Sequence, residues 1–135
     1  MKKIIYLMLI AGLGLFTNNT IQAQDLRKGG SKFGKIESNG DVRIKGSVKG
    51  KFESNGDIRV GGSVKGKIES NGDIRIGGSV KGKVESNGDV RIGGSVKGKI
   101  ESNGDIRKSG SVIGSAKGVN KRQAAVIFFF DFFDF

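Results

Sequence analysis

From Gly34 onward the chain repeats itself every 16 residues: Gly34–Lys49, Gly50–Lys65, Gly66–Lys81, Gly82–Lys97 and Gly98–Ile113, each close to GKIESNGDIRIGGSVK. A repeat this strict makes the fold a question of how like units close or stack. Within a unit the apolar period is two. Phe52, Ile58, Val60 and Val64 are all even-numbered, and Ser54, Gly56, Gly62 and Gly66 fill the other even places. The odd places hold Lys51, Glu53, Asn55, Asp57, Arg59, Gly61, Ser63 and Lys65. Because 16 is even, the alternation carries from unit to unit. It predicts strands with one apolar and one charged face, built on β-branched Ile and Val.

The turns follow from the same parity. Glu-Ser-Asn-Gly-Asp recurs from Glu37, Glu53, Glu69, Glu85 and Glu101, and Asn-Gly is a strong hairpin signal. A two-residue Asn39-Gly40 loop would put Ile36 on the opposite face from Val42 and Ile44. A three-residue loop with Gly40 left-handed and a bulge keeps all three together, and is the expectation here. The Gly61-Gly62-Ser63 step is the opposite turn. Two closures obey these rules. One is a ring of five hairpins about a pseudo-five-fold axis, even-numbered side chains inward. The other is a right-handed β-solenoid with one coil per unit. The solenoid would stack Lys35, Lys51, Lys67, Lys83 and Lys99 about 4.8 Å apart, and like charges that close are unfavourable. The ring is preferred.

These repeats, followed by Ile113-Gly114-Ser115-Ala116-Lys117-Gly118-Val119, then Ala124-Ala125-Val126 and a Phe run, resemble the bacterial secreted five-fold beta-flower family. The resemblance covers about Asp25 to Phe130 and implies a ring of hairpins, with no activity attached. A weaker resemblance is to the bactofilins, polymer-forming cytoskeletal proteins sharing Gly-x-Ile and Gly-x-Val spacing in a β-solenoid. That family is mainly cytoplasmic, which the N-terminus here opposes.

The N-terminus reads as an export signal. Lys2 and Lys3 precede an apolar run, Ile4 to Phe16, of 13 residues, short of the roughly 20 that span a bilayer. Ala23 suits the position before a cut, so cleavage is expected between Ala23 and Gln24, giving a periplasmic or secreted protein. Losing Lys2 and Lys3 takes the formal net charge from +11 to +9. The expected organisation is a signal segment at 1–23, a degenerate half-repeat at 24–33, the five-repeat β domain at 34–113, and an apolar tail at 114–135 packing on the repeats.

The tail is chemically distinct. Six of the nine Phe lie in its last eight residues. Asn120 with Gln123 three residues on is a capping pattern, so a short Phe-rich helix is expected. On it Asp131 and Asp134 would share one face, and Phe128, Phe132 and Phe135 another. At least two of Phe128, Phe129 and Phe130 should be buried on the Ile and Val face of the repeats, since three exposed rings would form a patch soluble proteins avoid.

Composition removes most chemistry. There is no Cys and no His among the 135 residues, hence no disulfide, no thiolate nucleophile and no imidazole base or ligand. Three patterns remain to be weighed. Gly61-x4-Gly66-Lys67-Ile68 resembles a phosphate loop, but Ile68 stands where Ser or Thr must hold magnesium. Glu37, Asn39 and Asp41 put three oxygens in five residues, as calcium turns do, yet Asn and Asp also simply make turns while Glu37 pairs with Arg43. Ser47 with Lys49 has the residue types of a Ser-Lys pair, but near-identical copies on a solvated face are a structural pattern. No catalytic, cofactor or metal residue is nominated. The Lys/Arg face implies a weak attraction to polyanions or an envelope surface, without the aromatics that read nucleic acid. The expected function is an exported non-catalytic β-repeat structural or binding module. The alternative is a self-assembling bactofilin-like envelope scaffold.

Overall fold

The computed structural model describes residues 24–135, so the export signal and its cleavage site lie outside the described residues. Twelve strands alternate in length: β1 (Asp25–Lys28), β2 (Ser31–Ile36), β3 (Asp41–Ile44), β4 (Ser47–Phe52), β5 (Asp57–Val60), β6 (Ser63–Ile68), β7 (Asp73–Ile76), β8 (Ser79–Val84), β9 (Asp89–Ile92), β10 (Ser95–Ile100), β11 (Asp105–Lys108) and β12 (Ser111–Ser115). Each is hydrogen-bonded to its sequence neighbours, and β1 pairs antiparallel with β12 to close a barrel. One helix follows, α1 (Lys121–Phe129).

The closed ring of hairpins is therefore the architecture, and the solenoid is not: every strand reverses on the one before it. The count is six hairpins rather than five. Asp25–Lys28, part of the degenerate half-repeat, pairs with both β2 and β12 and supplies the sixth. Size explains the sixth hairpin. Twelve strands about 4.8 Å apart enclose a radius of at least about 9 Å, where ten would give about 8 Å. The wider ring accepts a helix about 10 Å across.

The Asn-Gly end has the three-residue loop. Ile36 faces Val42, the Glu37 N–H donates to the Asp41 carbonyl at 2.8 Å, and the Gly40 N–H donates to the Glu37 carbonyl at 2.9 Å. Gly40 has φ 99°, a left-handed conformation that glycine adopts without steric cost. Asn39 Oδ1 accepts from the Asp41 N–H at 3.0 Å, which fixes the loop locally.

The other end corrects the parity. Its turns have two residues, Gly61 (φ 61°) and Gly62 (φ 93°), the paired positive φ of a type I′ hairpin. Ser63 already pairs with Val60, so Arg59 faces Val64. Val64 thus points outward, 46% exposed, instead of sharing the inner face with Ile58. A bulge at Lys65 restores the parity by setting Gly66 opposite Ile58. Val48, Val80, Val96 and Val112 are exposed for the same reason.

The tail fills the barrel. Asn120 Oδ1 caps α1 by accepting from the Arg122 and Gln123 N–H groups at 2.8 and 3.2 Å. Every residue from Ala124 to Phe130 is buried, a pattern that only an enclosed helix shows. The expected burial of Phe128, Phe129 and Phe130 holds for all three, but their seats differ from the expectation. A Cβ built on Gly114 would lie 3.1 Å from the Phe128 ring, on Gly98 2.5 Å from Phe129, and on Gly82 2.9 Å from Phe130. Gly66 and Gly50 meet Phe132 and Phe133 in the same way, at 2.8 and 2.7 Å. The sixth ring, Phe135, stacks on Phe33 at 4.1 Å. The rings thus step round the barrel hairpin by hairpin, most of them in a notch that exists because the repeat has no side chain there. The helix stops at Phe129, and Asp131 takes φ 58°, so Asp131 and Asp134 do not share a helical face.

Candidate functional site

The barrel has two chemically different rims. On the outer wall toward the Asn-Gly rim the charges are already matched, and each arginine also reaches a turn of the opposite, Gly-Gly rim, as Arg59 Nη1 does in donating to the Gly62 carbonyl at 3.0 Å. Arg59 Nε donates to Glu53 Oε2 at 2.6 Å, and Arg91 Nε to Glu85 Oε2 at 2.7 Å. Arg43 with Glu37, Arg75 with Glu69 and Arg107 with Glu101 repeat the pair. The strand-opening Asp residues sit opposite a Lys in the ladder, Asp41 against Lys51 and Asp57 against Lys67 among them, except Asp105, which faces Ser115. The start of α1 adds Lys121 and Arg122 here, and Arg122 Nη1 donates to the Ser70 carbonyl at 2.9 Å. These exposed pairs contribute little stability each, about 0–1 kcal/mol. Their effect is to leave that rim without a surplus of either sign.

The Gly-Gly rim is different. The bulge position of four successive hairpins is an exposed lysine: Lys49, Lys65, Lys81 and Lys97. Lys28, Lys45 and Lys108 stand at or beside the turns of the same rim and are exposed too. None of these seven takes part in an ion pair among the described residues; the one lysine there that does is Lys32, 3.2 Å from Asp25. The acids at this end are Asp131 and Asp134 of the tail. Beside Lys45 and Lys49 lies a recess of about 530 Å³ whose lining also includes Phe132, Phe133, Asp134 and Phe135. Lys28 Nζ lies 5.2 Å from the centre of the Phe135 ring, a cation–π contact. The rim is held in shape by the backbone: the Gly61 N–H donates to the Lys49 carbonyl at 3.0 Å, and the Gly77 N–H to the Lys65 carbonyl at 3.1 Å.

The three patterns weighed in the sequence land as follows. Gly66, Lys67 and Ile68 lie within strand β6, with Gly66 under a Phe ring, so they form no phosphate-cradling loop. The oxygens of Glu37, Asn39 and Asp41 are engaged with Arg43 and with each other. Ser47 and Lys49 lie on the exposed length of β4, two residues apart on a bulged strand. The lysine-rimmed recess itself was missed. Its signal was present: a Lys recurring at Lys49, Lys65, Lys81 and Lys97, and six Phe in a tail that faces a six-hairpin ring.

No helix among the described residues is long and apolar enough to cross a membrane. The strands have 4 to 6 residues, against the 9–11 or so of a bilayer-crossing strand, and their outer face carries the Arg–Glu pairs. Compared with known proteins, the chain is similar over residues 24–87, a span that takes in β1 to β8, to the family model described as Bactofilin, polymer-forming cytoskeletal. No curated protein and no solved structure matches it.

Proposed function

We propose that this chain is a non-catalytic structural module that assembles with copies of itself, acting outside the cytoplasm after export. The similarity to a polymer-forming family model over residues 24–87 carries the reading. The geometry supports it. The charged groups of the barrel wall recur with the repeat and are spent on turns and Arg–Glu pairs, so they converge on no single reacting centre. A closed barrel also has no free strand edge, so self-association has to use the outer wall or the rims. The outer wall offers the repeated exposed valines, Val48 to Val112, one per hairpin on five of the six. Export rests on Lys2, Lys3 and the apolar run to Phe16.

Sedimentation velocity of residues 24–135 over a wide concentration range, with electron microscopy of the same samples, tests it. Concentration-dependent growth into oligomers or filaments is expected. A single monomeric species throughout refutes self-assembly. The recess floored by Phe132 and Phe133 favours a second reading, an exported binding module. A defined small molecule co-purifying from the native envelope would support that reading. The repeated hairpins fit the beta-flower resemblance in kind, with a different count.

A further inference from the structure

We infer that the Gly-Gly rim is a docking face for an anionic lipid surface, with the barrel standing on the bilayer and its axis along the membrane normal. This does not rest on the self-assembly reading. The first ground is placement. The type I′ turns and bulges put Lys49, Lys65, Lys81 and Lys97 at one height on four neighbouring hairpins, and Lys28, Lys45 and Lys108 extend the set round the same rim. Clusters of four to eight such cations favour anionic headgroups, at about five-fold in partitioning per lysine near the surface.

The second ground is the centre of the ring. Phe132 and Phe135 are only partly buried and line the recess beside Lys45 and Lys49, with Lys28 Nζ 5.2 Å from the centre of the Phe135 ring. Cations around an apolar centre match the layering of a bilayer surface, where phosphate lies outside and acyl chain inside. A soluble polyanion has no use for the rings.

The third ground excludes the nearest rival, the opposite rim of a second copy. That rim carries many acids, but its glutamates are already bonded to arginines and all its ladder aspartates but Asp105 face lysines. Lys121 and Arg122 stand at its centre. It offers no surplus negative charge to neutralise seven lysines, against which Asp131 and Asp134 set two charges of their own.

The test is co-sedimentation of residues 24–135 with vesicles of phosphatidylcholine alone and of phosphatidylcholine with phosphatidylglycerol. Binding to the anionic vesicles alone, weakened by salt, is expected. The rim variant Lys49→Gln/Lys65→Gln/Lys81→Gln/Lys97→Gln should bind several-hundred-fold more weakly. The wall variant Lys35→Gln/Lys51→Gln/Lys67→Gln/Lys83→Gln, with the same loss of net charge, should stay much closer to the parent. Thermal melts of both variants confirm that the ring is intact, and two-residue rim variants replace the quadruple if it does not fold. Equal loss in the two variants assigns the attraction to overall charge and overturns the proposal. So does equal binding to uncharged vesicles, or binding to immobilised heparin with anionic vesicles left unbound.

Discussion

Gly82→Ala tests the packing that joins tail to ring. Gly82 is buried in β8, and its Cβ position lies 2.9 Å from two atoms of the Phe130 ring and against the Arg91 carbonyl of the neighbouring strand. Neither neighbour is the loose end of a flexible chain. The methyl group has to displace a ring that is only 6% exposed, or part the strands. Overpacking of this kind costs about 1–3 kcal/mol, and removing a buried ring by Phe130→Ala costs about 3–5 kcal/mol. In the double variant the alanine at 82 no longer meets the ring but still meets the Arg91 carbonyl. The double variant should therefore be less destabilised than the sum of the singles, by about 1 kcal/mol or more, a coupling typical of residues in contact. Chemical denaturation of the parent, both singles and the double gives the cycle directly, provided each unfolds in one transition with an unchanged slope. Strict additivity would refute the idea that Phe130 sits in the notch left by Gly82.

Two further outcomes follow from the same geometry. Deleting Ala124–Phe135 empties the lumen of four buried rings besides Ala124 to Ile127, and burying each ring is worth about 1.5–3 kcal/mol. The loss is comparable to the whole stability of an ordinary domain, about 5–15 kcal/mol, so circular dichroism should show the cooperative melt abolished or its midpoint lowered by tens of degrees. An unchanged melting midpoint would mean the tail is not the core. Gly72→Ala and Gly77→Ser should differ although both glycines have positive φ, 100° and 59°. A Cβ at Gly72 strikes the Val84 carbonyl, whereas Gly77 has open space, and its counterpart Ser109 already has φ 53°. The midpoint in denaturant should fall clearly for the first and by no more than the equivalent of about 1 kcal/mol for the second. Equal shifts would remove the close approach as the cause.

How much of this was legible along the chain depends on how local the cause is. The Asn39-Gly40 loop was readable because loop length, glycine's freedom and strand parity meet within seven residues, Ile36 to Val42. The Asn120 cap and the helix were readable from adjacent residues for the same reason. The Glu37–Arg43 pair follows from the register that the loop imposes. None of these needs a distant part of the molecule.

Three features depend on residues far apart. Val64 faces water because a two-residue turn shifts parity and a bulge at Lys65 shifts it back, and simple alternation shows neither step. The sixth hairpin exists because Asp25–Lys28 meets β12 across almost the whole chain, a pairing set by the width the helix requires. The inward glycines, Gly50 to Gly114, read as weak points in each strand until the phenylalanines arrive to fill them. Short-range chemistry thus writes the hairpin sixteen residues at a time. The number of hairpins and the facing of each bulge come from closure around the buried tail, since packing volume and ring circumference belong to the whole barrel rather than to any one repeat.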